Sequence, residues 1–131
     1  MSFRKTGARL ASSLSTWGLK TLAHRPAANM PGKIALKIDP DIISEEISKI
    51  AEGSIVVVGT NGKTTVTNMI ADVIEASGKT VACNRTGANM AYGVAATLLQ
   101  TEPADWGVFE SDELWLARIL PQVKATYVVL L

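Results

Sequence analysis

The sequence predicts an α/β fold, a parallel sheet with helices on both faces, and three observations carry that expectation. Short apolar runs alternate along the chain with longer segments of helical periodicity. Runs such as Ile55-Val56-Val57-Val58 lack the polar alternation of a strand with one wet face. Gly or Pro stands at most of the junctions between them. Strands buried on both faces and joined by helices need crossover connections, and crossovers make neighbouring strands parallel.

Each element follows from local pattern. Leu10, Leu14 and Trp17 fall three and four apart, so residues 3–22 read as one amphipathic helix whose other faces carry Arg and Lys. Such a helix can pack on the domain or a partner. Being Ser-rich and free of acids, it also fits an organelle transit peptide, and its basic character fits an anionic membrane surface. Arg25-Pro26-Ala27-Ala28-Asn29-Met30-Pro31-Gly32 holds two prolines and a glycine and reads as a linker closed to helix and central strand. Residues 1–38 thus form a leader and linker, and residues 39–131 the domain.

Within the domain, Asp39-Pro40-Asp41 opens a short helix whose Ile42, Ile43, Ile47 and Ile50 share a face, with Gly53 as its C-terminal cap. Ser54–Val58 is the first strand, Lys63–Ser77 a helix ended by Gly78, and Lys79–Cys83 the second strand. Asn89–Gln100 is the next helix and Trp106–Phe109 the third strand. Ser111–Leu120 is a helix stopped by Pro121, and Ala125–Leu131 a fourth strand. That last strand needs a covering helix, so the chain reads as part of a longer protein.

Composition narrows the classes. With 131 residues, 47% of them hydrophobic, the chain can bury one core. Charged residues interrupt every apolar run before the roughly 20 residues that a membrane-spanning helix needs. Cys83 is the only cysteine, which excludes an internal disulfide and suits a reducing compartment, so the cytoplasm is expected. The net charge of +1 hides an asymmetry: Arg4, Lys5, Arg9, Lys20, Arg25, Lys33 and Lys37 all precede the first acid, Asp39. The leader is basic and the body acidic.

The chemistry lies in Gly59-Thr60-Asn61-Gly62-Lys63-Thr64-Thr65. A strand, a glycine-containing loop and a helix N-terminus make the geometry in which backbone N–H groups converge on a phosphate. Gly59 and Gly62 let the backbone approach the anion, Lys63 supplies a charge for the β- and γ-phosphates, and the Thr64 hydroxyl suits Mg²⁺. Thr65 is the next donor inward. The expected ligand is MgATP and the fold a P-loop-type sheet. The general phosphate-loop pattern has an earlier glycine where this chain has Val57, so only its Gly-Lys-Thr end is met.

A metal bound to phosphate also needs a carboxylate, and Glu110, expected just after the third strand at the sheet's carboxyl edge, can supply it. Asp112 and Glu113 read as helix-capping acids. Asn84-Arg85-Thr86-Gly87-Ala88-Asn89 follows the second strand at the same edge, where open parallel sheets form their ligand crevice. Asn84, Arg85, Thr86 and Asn89 are therefore candidates for a loop facing substrate or nucleotide. Arg85 can pair with a carboxylate or a phosphate, and Asn89 can equally cap the following helix.

These residues resemble the Mur ligases and their folylpolyglutamate synthase relatives, whose phosphate loop reads Gly-Thr-Asn-Gly-Lys-Thr or Ser and lacks the earlier glycine. More narrowly, three stretches are similar to the MurT-type subunits of lipid II isoglutaminyl synthases within that family. They are Pro31-Gly32-Lys33-Ile34-Ala35 with Asp39-Pro40, the Asn84–Asn89 loop, and Phe109-Glu110-Ser111-Asp112-Glu113. The resemblance covers residues 31–131 and implies the first part of a Mur ligase central domain. It also implies a bacterial, cytoplasmic, ATP-dependent ligase of peptidoglycan synthesis, near the inner face of the membrane where lipid II lies. Such proteins phosphorylate the α-carboxylate of D-glutamate in the lipid II stem peptide, and ammonia from a partner glutaminase subunit then gives D-isoglutamine. In that scheme Lys63 and the loop hold ATP, Thr64 and Glu110 bind Mg²⁺, and Lys63 and Glu110 are the catalytic pair. A zinc site found in many members, and the domain that holds the glutaminase, fall beyond residue 131, so residues 1–131 alone are expected to be inactive.

Competing readings are another ligase of the same family that adds an amino acid, a non-catalytic ATP-binding module, and a partitioning-type ATPase, which needs an additional upstream lysine and glycine where Val57 and Val58 stand. His24 has no metal-ligand neighbours, Cys83 reads as core, and Trp17, Trp106 and Trp115 as residues packed on helices. No aromatic is flanked by the basic residues of a nucleic-acid surface.

Overall fold

The computed structural model describes residues 30–131 and, in the leader, positions 6, 7, 10 and 11, which are helical. Leu14, Trp17, His24 and the linker residues 25–29 lie outside the described residues. From residue 30 the elements in chain order are α1 (Met30–Ile38), α2 (Ile42–Glu46), a 3₁₀ turn (Ile47–Lys49) and β1 (Ile50–Val58). There follow α3 (Lys63–Ala76), β2 (Val81–Cys83), α4 (Ala91–Gln100), β3 (Ala104–Ser111), α5 (Glu113–Val123) and β4 (Ala125–Leu130). All pairings are parallel, in the order β2-β3-β1-β4.

Strand alternation divides the core between two faces. Val56 and Phe109 are register partners and join Ala82, Val94, Leu98, Ile119 and Val123 in a buried cluster with α1, α2, α4 and α5. Ile55, Val57, Val108 and Glu110 belong to the other face, where α3 packs across β1, β2 and β3. The predicted helices-on-both-faces architecture is therefore present. The helix after β1 and the helix after β3 cover opposite faces, so a crevice opens between the carboxyl ends of these two neighbouring strands.

Several boundaries differ from the expectation. Pro31-Gly32 opens α1 instead of remaining linker, because a proline in the first helical turn gives up no intrahelical bond. Gly32 lies in the crossing with α4, where a Cβ would stand 1.8 Å from the Tyr92 carbonyl oxygen. The helix expected to run to Gly53 stops at Glu46, and Gly53 sits inside β1 at an irregularity in its pairing with β3. Tertiary pairing with β3 and β4 has overridden the helical spacing of the isoleucines. Pro121 does not stop α5, which runs on to Val123. Ala117, whose carbonyl loses its donor to the proline, is exposed, so water can take that bond.

Aromatic placement is mixed. Trp115 meets Tyr92 of α4 edge-on at 5.4 Å, as expected of a helix contact. Trp106 instead stacks on Tyr127 of β4, with its indole N–H donating to Glu52 at 2.7 Å.

Candidate functional site

The loop between β1 and α3 is built as its sequence requires. Gly62, the residue before the helix, has φ +79°, a left-handed conformation costly for residues with a Cβ. Its carbonyl accepts the first helical bond, from the Val66 amide at 2.9 Å. The preceding first-turn amides, those of Lys63, Thr64 and Thr65, have no partner within the helix and point out of its positive end. Thr60, Asn61, Gly62, Thr64 and Thr65 are exposed, while Lys63 is half-buried and its ammonium folds back to donate to the Gly59 carbonyl. Cation, glycine backbone and free amides therefore share one small mouth.

Glu110 lies within β3, not after it, and is 3% exposed. The register explains its reach: Glu110 pairs with Val57, two residues before Gly59, so the parallel sheet sets its carboxylate beside the loop. Thr64 Oγ1 donates to Glu110 Oε2 at 2.7 Å. Sequence reasoning named both residues, and the fold brings them into contact across 46 positions of chain.

The Asn84–Asn89 segment divides into parts with different duties. Arg85 faces α3, pairing with Asp72 at 2.7 Å and Glu75 at 2.8 Å, which raise its pKa further. Its guanidinium is thereby engaged by carboxylates of the chain itself. Thr86 is exposed at the tip. The N-cap of α4 is Met90, and Asn89 contributes through its backbone, its carbonyl accepting from the Asp112 amide at 2.8 Å. Asp112 caps α5 with its side chain, accepting from the Leu114 amide at 2.9 Å. Asn84 is 3% exposed and turned inward, its side chain bonded to the backbone of Ala88 and Glu110.

Gly87, which sequence reasoning left without a role, closes the site from above. Its φ is +75°, and a Cβ there would fall 3.1 Å from Thr64 Oγ1 and 3.7 Å from Glu110 Oε2. The signal in the sequence was a glycine in a loop at the ligand edge. Its proximity to Thr64, however, is a product of the fold. Cys83, at the end of β2, is half-buried, and burial pushes its thiol up to about 11.

Hydroxyl and carboxylate oxygens, with a glycine where a Cβ would press on them, fit a hard cation such as Mg²⁺ bound together with phosphate and water. Among the described residues no group of three His, Cys, Asp or Glu side chains is arranged to hold a metal. Most of an octahedral shell would therefore come from the ligand and solvent.

A parallel sheet with a Gly-x-x-Gly-Lys-Thr turn after its central strand and a carboxylate from the neighbouring strand defines a phosphate-loop domain. Residues 57–129 match the Mur ligase middle domain, and the chain belongs to the Mur ligase family. It is 35% identical over 103 residues to the Staphylococcus aureus (strain COL) MurT subunit of lipid II isoglutaminyl synthase (glutamine-hydrolyzing), covering 77% of this chain and 23% of that protein. Over 134 aligned residues it is 34% identical to the Streptococcus pneumoniae (strain ATCC BAA-255 / R6) protein of the same name, covering 99% of this chain and 29% of the relative. The chain thus spans less than a third of the length of these relatives.

Proposed function

We propose that this chain carries the ATP-binding part of a carbon–nitrogen ligase subunit that activates the α-carboxylate of D-glutamate in the lipid II stem peptide for amidation to D-isoglutamine. The observation that carries the reading is the Thr64–Glu110 contact of 2.7 Å beside the Gly59–Thr65 loop, in a Mur ligase middle domain. The acceptor is suggested by the names of the MurT relatives.

Each group has a part in that chemistry. The amides of residues 59–65 and the α3 N-terminus orient the triphosphate, and Lys63 leaves Gly59 to meet the β- and γ-phosphates. Thr64 and Glu110 are the residues that would hold Mg²⁺, which when bound would screen charge between the phosphates. A carboxylate oxygen of the acceptor attacks the γ-phosphorus, the bond to the bridging β–γ oxygen breaks, and ADP leaves. Ammonia then attacks the acyl carbon, phosphate leaves with the C–O electron pair, and an amide remains after proton loss. Bringing two anions together is the electrostatic difficulty, and the Lys63 ammonium and the first-turn amides of α3 would ease it, together with a cation held by Thr64 and Glu110. The ammonia source in this reading is a glutaminase subunit in a heterodimer, and the place of action is the bacterial cytoplasm at the inner membrane face. Among the described residues no helix is long and apolar enough to cross a membrane.

The test is ATP-dependent phosphate release by a full-length protein containing this chain, assayed with the glutaminase, glutamine and lipid II. Release that requires lipid II and yields an amidated stem peptide is expected. Release only with a free amino acid would replace this reading with amino-acid ligation, and ATP binding without release would make the domain a binding module.

A further inference from the structure

The structure assigns Asn84 the role of a positioning residue for Glu110, an inference that rests on the proposed Mg²⁺ site. The pairing of β2 with β3 ends at Cys83↔Val108, two residues short of Glu110. On that side the Glu110 peptide groups have lost their strand. The Asn84 side chain takes the strand's place: Glu110 N–H donates to Asn84 Oδ1 at 2.8 Å, and Asn84 Nδ2 donates to the Glu110 carbonyl at 3.0 Å. The same Nδ2 donates to the Ala88 carbonyl at 2.8 Å, anchoring the turn that carries Gly87. One N–H and two carbonyls around the amide fix its orientation, since the flipped form would set oxygen against two acceptors.

Both parts of the cation site therefore depend on this one buried amide. Glu110 is held in the register from which Oε2 reaches Thr64, and the turn is held where Gly87 lies over the pair, so close that a Cβ would stand 3.1 Å from Thr64 Oγ1. A side chain that only filled space would fix neither. Asn84 touches no reacting atom and acts through Glu110.

The experiment measures the ratio of ATP affinities with and without Mg²⁺, together with amide hydrogen exchange at Glu110 in ligand-free protein. Asn84→Ala is expected to lower the Mg²⁺ enhancement about 10-fold or more, in line with the loss of a residue that orients a metal ligand, while Mg²⁺-free affinity stays within about twofold. Glu110 amide exchange should accelerate at least about 10-fold. In a Glu110→Ala background the same substitution should leave the enhancement where Glu110→Ala has put it, because the two act as a unit. If Asn84→Ala does not fold, Asn84→Asp keeps the shape and the bond from the Glu110 amide but loses both donations. It should show the same drop in enhancement with the amide still protected. An unchanged enhancement in a folded variant, or unchanged exchange at Glu110 in Asn84→Ala, overturns the inference. A wild-type protein whose ATP affinity ignores Mg²⁺ refutes instead the site it rests on, and exchange at Glu110 still reports the clasp.

Discussion

The Gly59–Thr65 loop and the Asn84–Glu110 clasp stand side by side at one edge of the sheet, yet they are held by opposite means. The loop is mostly exposed and has few internal bonds, so its shape comes from glycine backbone and the start of a helix. The clasp is buried, with Asn84 and Glu110 each 3% exposed and joined by a reciprocal pair of hydrogen bonds. A polyanion needs donors that are free to turn toward it, whereas a metal ligand needs a fixed origin. In the proposed reading the division of labour follows from those two demands.

Substitutions can break that contrast, and the largest effect on binding is expected in the loop. Lys63→Ala should weaken ATP binding by about 10- to 100-fold, the worth of a charge-assisted hydrogen bond of about 1.5–3 kcal/mol, with an unchanged melting temperature. Titration calorimetry and a thermal melt check both halves. Glu110→Ala should abolish most of the Mg²⁺ enhancement of ATP affinity and leave Mg²⁺-free binding within about threefold, a split read from paired titrations. Gly87→Ala should destabilise the fold by about 1–2 kcal/mol through its left-handed backbone and press on Thr64, lowering the Mg²⁺ enhancement as well. Denaturant unfolding measures the first effect. Arg85→Ala should be the mildest. Its ion pairs with Asp72 and Glu75 are exposed, so a stability loss under about 1 kcal/mol that shrinks further at high salt is expected, with ATP affinity unchanged.

A pH experiment probes the strand end next to the clasp. The Cys83 thiol titrates near 11 when folded and near 9 when unfolded. Between those values the unfolded chain binds fewer protons, so this thiol's contribution to stability is present below pH 9 and lost as pH rises toward 11. Alkylation of native protein by iodoacetamide should accordingly be slow at pH 8 and accelerate above pH 10.

Legibility in the sequence followed the same contrast. The loop is local: strand, glycines, lysine and helix start are contiguous, so the turn at residues 59–65 could be placed between its strand and its helix. The α/β alternation was equally readable, because periodicity is a property of short windows. The clasp is not local. That Asn84 substitutes for a missing strand depends on β2 ending at Cys83, and the sequence suggested instead a side chain facing ligand. For Arg85 the sequence offered a carboxylate or a phosphate as partner, and which carboxylates it meets could not be read, since Asp72 and Glu75 lie on a helix face whose direction is set by packing against the sheet. The Pro-bearing segments failed where proline position within a helix outweighs its general bias, as at Pro31 and Pro121.

The most direct test is a crystal structure with a nonhydrolysable ATP analogue and Mg²⁺. The expected result is phosphates against the amides of residues 59–65, Lys63 released from Gly59, and a metal between Thr64 Oγ1 and Glu110. Phosphates bound elsewhere, with the 2.7 Å Thr64–Glu110 hydrogen bond intact and no metal beside it, would contradict the account.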